Sequence, residues 1–545
     1  VRSGTAAPEQ AGGPPAATGA ADTVGEAGAT PGIAARPGRS RTARVALLLV
    51  AFVCAACGLV YELSLVTLGS YLLGDTAAQA SITLSVMVFA MGIGALAAKP
   101  LRRRAATAFL CVELALALLG GLSVLMLYAA YAWLNIYTAA LIVAATVLGI
   151  LVGAEIPLLM ELLQRIRRQE PGSAVADLFA ADYVGALLGG LAFPFLLLPV
   201  FGQIRGSLIV GVVNAAAGAA LVFVLFRDQI GRPARWALTA LTVSVTLVLG
   251  GSYLYADRFE ATAQQALFAH PIVRHEQTRY QSIVLTESLS PFATSDVRLY
   301  LNGDLQFSSV DEYRYHEALV HPTLAGPRRT VLVLGGGDGL ALREILRYPD
   351  VESVTLVELD PDMIRLARTE PRLLALNDNA FADPRVDVVN ADAFGWLRES
   401  ARQFDAVLID LPDPDQTSIA KLYTKEFYAM AADALAPGGT MSVQSGSPFF
   451  APRSFWCIAA TIRAGGLRIL PYHVDVPSFG DWGFVLATRD VEPVLRLDPP
   501  NPPRSIDAES LRAASVFAPD RRDPGAPIST LMHPVIIDLE LREWR

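Results

Sequence analysis

The sequence predicts a membrane-embedded helical bundle joined to an α/β module, in which a small antiparallel sheet precedes a doubly wound, mostly parallel one. Three observations carry this reading. Hydrophobic residues make up 53% of the 545 and charged residues 18%, against roughly a quarter charged in ordinary water-soluble domains. Seven apolar runs of about 20 residues, the length that crosses a bilayer, fall in the first half of the chain. From residue 330 onward, short apolar strands alternate with helix-length segments, as in parallel sheets wrapped by crossover helices. The length itself suggests three or four modules.

Residues 1–43 are mostly Ala, Gly, Pro and Thr. They cannot bury enough apolar surface to offset their ordering entropy, so a disordered tail is expected. A secretory signal would place its apolar stretch nearer the N-terminus. The apolar runs at 45–68, 77–98, 106–130, 136–160, 178–201, 206–226 and 236–256 make a transmembrane domain over 44–256, rich in Gly and Ala as closely packed membrane helices are. Glu62 lies in the first run and Glu155 in the fourth. A carboxylate facing lipid is costly, so both are expected to face the bundle interior or the interface, as functional groups or as partners of a neighbouring helix. Cys54 and Cys57 form a C-x-x-C inside the first run, where small core residues are expected rather than metal or redox chemistry. Four cysteines in all exclude a disulfide scaffold.

Residues 258–545 hold 28 basic and 39 acidic side chains, whereas residues 1–257 hold 16 and 13. An acidic soluble half argues against a nucleic-acid partner and suits a cationic ligand. Strands at 280–285 and 297–303 open a small β domain over 257–325. A nucleotide-binding domain over 326–490 follows, with strands expected at 330–334, 353–358, 385–389, 405–410 and 439–444 and helices near 339–347, 361–368 and 424–435. Residues 491–545 are a Pro-rich extension expected to wrap its surface.

The most informative stretch is Val331-Leu332-Val333-Leu334-Gly335-Gly336-Gly337-Asp338-Gly339. An apolar strand runs into a glycine turn and then a helix, a Rossmann-like arrangement in which Gly335 and Gly337 let backbone approach a nucleotide. Glu358 ends the next strand, where it can accept hydrogen bonds from ribose hydroxyls, and Asp392 ends the one after, where an adenine amino group can donate to it. Two carboxylates at successive strand ends behind a glycine run point to an adenosyl ligand. No Gly-Lys-Ser/Thr follows, which excludes a P-loop nucleotidase. Asp338 narrows the ligand. It would repel the carboxylate of S-adenosylmethionine and attract the bare ammonium of the decarboxylated form. It is equally placed to cap the following helix, and the two roles are compatible.

The fourth strand ends at Asp410, which the switch-point rule sets beside the nucleotide, and Asp413 follows in a Pro-flanked loop. Upstream, Asp311-Glu312-Tyr313-Arg314-Tyr315-His316-Glu317 begins a helix. Each acid there is by itself a solvated helix start, but together they suit a polycation.

With Tyr280-Gln281, Gly303, Gln306, Asp311-Glu312, Tyr315-His316-Glu317, the glycine loop, Glu358, Asp392-Ala393 and Asp410-x-x-Asp413-Pro414 in one chain, the sequence resembles the polyamine aminopropyltransferases, the spermidine synthase family, over about 272–540. It is most similar to a bacterial branch with a multi-pass membrane region in front. The resemblance implies a methyltransferase-type fold and decarboxylated S-adenosylmethionine as co-substrate, held by Gln281, Asp338, Glu358, Asp392 and Ala393. It implies an acceptor amine near Gln306, Tyr315, His316, Asp413 and Tyr423, and Asp410 as the catalytic acid. The family's Leu-Asp-Gly is Leu301-Asn302-Gly303 here, and its gatekeeping loop reads Pro414-Asp415-Gln416-Thr417-Ser418-Ile419-Ala420. These departures leave the acceptor open.

The expected reaction is attack by an amine on the aminopropyl carbon beside the sulfonium, with Asp410 taking the amine proton, either directly or through Tyr315 or a water. With putrescine as acceptor it yields spermidine and 5′-methylthioadenosine. No metal or other cofactor is expected, and the oligomeric state stays open, a homodimer among the options. Two rival readings are an S-adenosylmethionine-dependent methyltransferase and a membrane polyamine transporter or sensor whose acidic domain only binds. Arg clusters at 36–44, 102–104, 165–168 and 227–235 flank alternate loops, which puts the N-terminus in the cytoplasm. Seven crossings would then leave the acidic module outside, away from a cytosolic nucleotide. A seventh segment that dips back or lies in the interface would reconcile the two, so a cytoplasm-facing catalytic domain is the expectation.

Overall fold

The computed structural model describes residues 37–73, 76–166, 171–288, 295–523 and 525–544. Most of the tail expected to be disordered thus lies outside the described residues, while 37–43 are the first turns of a helix. Helices α1 (Pro37–Leu73), α2 (Thr76–Ala97), α3 (Ala105–Ala129), α4 (Tyr137–Ile166), α5 (Pro171–Ala192), α6 (Leu198–Leu225) and α7 (Arg232–Gln265) form the N-terminal bundle. Small residues let them touch: a Cβ on Gly153 of α4 would lie 2.0 Å from the Met91 carbonyl oxygen of α2. The outward faces carry exposed Phe89, Phe195, Val224 and Leu254, an apolar exterior that water does not tolerate on this scale.

Among the described residues, six helical stretches are long and apolar enough to cross a membrane. One of them, Val175–Leu225, has 51 residues, about 75 Å as a straight helix against a hydrocarbon core of about 30 Å. It is not straight. A π-helical segment, Phe193–Leu197, links α5 to α6, and Gly202 breaks the helix at φ 70° and ψ 179°, in the left-handed region where glycine is at ease. The direction reverses there. Gly185 and Gly189 of α5 meet Phe52 and Ala56 in parallel order. By contrast, Gln203 and Val210 of α6 meet Ser64 and Cys57 in antiparallel order.

The seventh segment does not dip back. It is a continuous helix of 34 residues, running beside α3 in the same direction, with Leu249 against Gly121 and Phe259 edge-on to Trp133 at 5.7 Å. The basic loops gather at one end of the bundle, where Arg165 Nη2 donates to the Arg102 carbonyl (2.6 Å) and Nη1 to Gln229 Oε1 (3.3 Å). The opposite end meets the C-terminal half, where Tyr71 Oη donates to Ser282 Oγ at 3.5 Å.

Strands β1 (Ile272–Gln277), β2 (Ser282–Glu287), β3 (Val297–Leu301) and β4 (Asp304–Ser308) form an antiparallel sheet in that order. A seven-stranded sheet follows from β5 (Thr330–Gly335), β6 (Ser353–Glu358), β7 (Val386–Asn390), β8 (Phe404–Asp410), β9 (Leu435–Gln444), β10 (Arg468–Val476) and β11 (Gly480–Thr488), in the order β10-β11-β9-β8-β5-β6-β7. Strands β5 to β9 are parallel and β10–β11 is an antiparallel hairpin at the edge. Val331–Leu334 are wholly buried, as a central strand covered on both faces must be. The order reverses between β5 and β8, so their carboxyl ends open a crevice. Past residue 490, the helix Val535–Glu543 docks on the helix Pro452–Ala464, with the Glu543 carboxylate accepting from the Arg453 and Ser454 amides (3.2 and 3.0 Å).

Candidate active site

The floor of the crevice is the loop after β5, pressed between two strand ends. A Cβ on Gly335 would stand 2.0 Å from the Asp410 carbonyl oxygen, and one on Gly337 2.8 Å from Glu358 Oε2. The Gly336 amide donates to the Asp410 carbonyl at 3.1 Å. Helix α8 spans Glu312–Val320 and α9 Leu340–Leu346. Asp338 Oδ1 accepts from the Leu340 amide at 2.9 Å, one residue ahead of Gly339, which holds the N-cap position of α9.

Glu358 closes β6. Its Oε1 accepts from the Asp360 amide at 2.9 Å, and burial, helped by the Asp360 and Asp338 charges, raises it to about 7. Asp360 is almost fully buried and takes Thr278 Oγ1 (2.7 Å) and Gln281 Nε2 (3.0 Å) on one oxygen. Gln281, just ahead of β2, is thereby tied to the loop that follows β6. Asp392 caps the helix Ala393–Glu399 through the Gly395 amide (3.1 Å), and its Oδ1 pairs with Lys421 Nζ at 2.9 Å. Ala393 is buried as the first residue of that helix.

Asp410, at the end of β8, accepts from Tyr315 Oη at 2.5 Å. Burial raises the carboxyl to about 6 and the Asp338 charge adds to this, while His316 and the Tyr315 bond oppose it. Tyr315 comes from α8 and its ring packs against Phe484 at 5.2 Å. His316, also on α8, is buried, and its Nδ1 sits 2.8 Å from the Glu312 carbonyl and 2.9 Å from Glu312 Oε2. Arg343 grips both Glu312 oxygens at 2.9 Å. Burial works against a charged His316, but the Glu312 contacts outweigh it and raise the imidazole above its usual value. An Arg343–Glu312–His316 chain thus ends beside the Asp338 and Asp410 carboxylates.

Beyond Asp410 lies a second acidic group. Asp413 accepts from Gln444 Nε2 at 3.0 Å, and burial, with the nearby Asp415, raises it to about 6. Asp304 at the start of β4 keeps a solvent-facing surface, yet protein around it desolvates it. That effect first, then Asp415 and Asp413, raises it to about 7. Gln306 stands on the same strand, its Nε2 donating to the Asp304 carbonyl at 3.2 Å. Tyr423 is buried; its hydroxyl donates to the Leu411 and Pro412 carbonyls (3.2 and 2.9 Å) and accepts from Gln444 Nε2 at 3.0 Å, the same group that binds Asp413. It braces the loop that carries Asp413. Glu540, from the C-terminal helix, is raised to about 8, by burial first and then by Asp413.

The acids around α8 are not solvated helix starts. Asp311 receives the Ser478 amide (2.6 Å) and Oγ (2.9 Å). Glu317 receives the Arg504 and Ser505 amides (2.6 and 2.8 Å). Both are buried anchors for distant loops, because a buried carboxylate needs donors and the turning backbone supplies them. Asp304, Asp360, Gln444, Lys421 and Glu540 were missed as site residues. Only Asp360, Asp304 and Lys421 stood beside a recognised motif in the sequence.

Residues 312–497 match the model of the spermine/spermidine synthase domain. Polyamine aminopropyltransferase 1 of Streptomyces coelicolor (strain ATCC BAA-471 / A3(2) / M145) is 59% identical over 508 residues, 93% of this chain and 96% of that protein. The polyamine aminopropyltransferase of Mycobacterium tuberculosis (strain CDC 1551 / Oshkosh) is 47% identical over 513 residues, 92% of this chain and 97% of that one. A solved spermidine synthase in complex with the transition state analogue AdoDATO aligns at 28% identity and a TM-score of 0.41, over 45% of this chain and 85% of that one. With close relatives matched along nearly their whole length, membrane region included, the chain belongs to the polyamine aminopropyltransferase family.

Proposed function

We propose that the protein moves the aminopropyl group of decarboxylated S-adenosylmethionine to an amine, putrescine first among acceptors, giving spermidine and 5′-methylthioadenosine. The observation that carries this is the Tyr315–Asp410 hydrogen bond of 2.5 Å at the lip of the glycine loop, with Asp338 beside it. Glu358, Asp392 and Ala393 hold the nucleoside, and Gln281 closes its edge. Asp392 exchanges Lys421 for the adenine amino group. Asp338 pairs with the ammonium of the aminopropyl chain.

An alkyl amine has a pKa of about 10 and arrives protonated. Asp410 takes that proton, and Tyr315 fixes the carboxylate's orientation. The freed nitrogen lone pair forms the new N–C bond as the C–S bond breaks. Its electrons return to sulfur, leaving neutral methylthioadenosine. Asp413, Asp304 and Asp415 hold the distal ammonium and align the near nitrogen, the entropic part of the rate. His316 and Gln306 line this passage. Incubating the protein with the decarboxylated nucleotide and a mixed panel of putrescine, cadaverine, agmatine and spermidine identifies the acceptor. Preference for a monoamine over every diamine would overturn the distal-ammonium role.

The bundle sits in a lipid bilayer and crosses it seven times, α5 and α6 as separate spans, a reading supported by the reversal at Gly202. Because α7 runs the full depth beside α3, the basic loops and the catalytic module lie on opposite faces. With positive charge kept cytoplasmic, seven crossings set the module outside, where its nucleotide must then be supplied on that face; the cytoplasm-facing alternative keeps it beside a cytosolic nucleotide. Paired reporter fusions at Arg258 decide: activity only of a reporter confined to the cytoplasm would refute the outward placement.

A further inference from the structure

The chemistry proposed above uses nothing from the bundle, yet the bundle encloses a polar cluster. Cys54 of α1, Glu113 of α3 and Glu155 of α4 bring one ligand atom each to within 4.8 Å of one another, and all three are buried. They are far apart in sequence, so no spacing marked them, and the expectation that Cys54 is only a small core residue took no account of neighbours on other helices. No partner among the described residues meets full hydrogen-bond geometry at either Glu113 oxygen or Glu155 Oε1, although the two carboxyls lie beside one another and beside Cys54, with Asn214 next to Glu113. Two more wholly buried groups are also without partners, Tyr61 Oη and Asn214 Oδ1. The Tyr61 hydroxyl faces Cys57, Glu113, Cys54 and Glu155. Asn214 reaches in from α6, its Nδ2 donating to the Glu113 carbonyl at 3.2 Å.

Two adjacent carboxyls in a dry interior need either protons or a compensating cation, and among the described residues no Lys, Arg or His bonds to either. The space excludes a long amine. A Cβ on Gly120 would lie 2.8 Å from the Tyr61 ring, and one on Gly218 2.8 Å from Glu113 Cβ. A compact dication meets both demands. A thiol and two carboxylates form a mixed sulfur–oxygen set of three, which suits a borderline-soft ion better than Mg²⁺ or Ca²⁺.

We propose that Cys54, Glu113 and Glu155 form an intramembrane site for a divalent cation of the zinc type that ties α1, α3 and α4 together. Cys54 gives up its thiol proton on binding, and Tyr61 donates to a carboxylate oxygen that does not ligate. The test uses full-length protein in detergent without a histidine tag, loaded with Zn²⁺, desalted and assayed for metal. About one equivalent per chain is expected, falling at least about tenfold in the double variant Cys54→Ser/Glu113→Gln. Should that variant fail to fold, Co²⁺ loaded into the unaltered protein decides, because a thiolate ligand gives a thiolate-to-cobalt charge-transfer band. The band is expected to persist in Cys57→Ser and Cys111→Ser and to vanish in Cys54→Ser. Protein that retains no stoichiometric zinc, a cobalt spectrum without that band, or a folded double variant that keeps its zinc would overturn the site.

Discussion

Replacing Tyr315 by Phe removes one hydrogen bond and leaves the ring packing on Phe484 in place. That bond holds the Asp410 carboxylate against a rise, driven chiefly by burial, that puts it at about 6. A hydrogen bond to a charged group contributes about 1.5–3 kcal/mol, and one pKa unit corresponds to about 1.4 kcal/mol. Full loss would raise Asp410 by about 1–2 units, and a water entering the vacated space would recover part, so a shift of about 1 unit is expected. The sign follows from the mechanism. Asp410 accepts a proton only when ionised, so the rate falls as pH drops through about 6, and in Tyr315→Phe that fall begins about 1 unit higher. The assay is the initial rate of methylthioadenosine release from about pH 5 to about pH 9, at subsaturating amine. Unchanged position of the acid limb, with the plateau reduced by orders of magnitude, would show that Tyr315 moves the proton itself and does not tune Asp410.

Asp410→Asn should cost at least about 100-fold in rate, the usual size of a general-base contribution, with methylthioadenosine affinity kept; near-normal turnover would falsify the base assignment. Asp338→Asn keeps an oxygen for the Leu340 amide while removing the charge. It should therefore weaken the decarboxylated nucleotide more than methylthioadenosine in titration calorimetry, and equal losses would leave Asp338 its bond to the Leu340 amide alone. Gly337→Ala puts a methyl 2.8 Å from Glu358 Oε2 and should abolish nucleotide binding in the same titration, whereas unaltered binding would remove Glu358 from the site. Glu312→Gln breaks the ion pair with Arg343 and should cost about 3–5 kcal/mol, seen as a lower melting temperature; an unchanged one would show that the chain to His316 contributes little.

The nucleotide half of the site was legible because its residues sit at fixed offsets along consecutive strands. Gly335, Glu358 and Asp410 end strands of one sheet, Gly337 and Asp392 follow just past strand ends, and alternating strands and helices suffice to place them there. The acceptor half was less so. Gln444 meets Asp413 across 31 residues, Lys421 reaches Asp392 from another helix, and Glu540 arrives from the far C-terminus. Such pairings leave no periodic trace. Counting carboxylates also misled, since Asp311 and Glu317 look free in the sequence but are held by the Ser478, Arg504 and Ser505 backbone. In the bundle, hydropathy found the apolar segments but could not tell which faces meet. The convergence of Cys54, Glu113 and Glu155, and the full-length course of α7, are consequences of packing.

The central claim is that the transferred group is aminopropyl. Purified full-length protein, given putrescine with either decarboxylated S-adenosylmethionine or S-adenosylmethionine itself, and read by mass spectrometry of both products, tests it most directly. The account predicts equimolar spermidine and methylthioadenosine from the decarboxylated nucleotide and no methylated amine from the other. Methylated putrescine with S-adenosylhomocysteine, and no spermidine from the decarboxylated form, would contradict it.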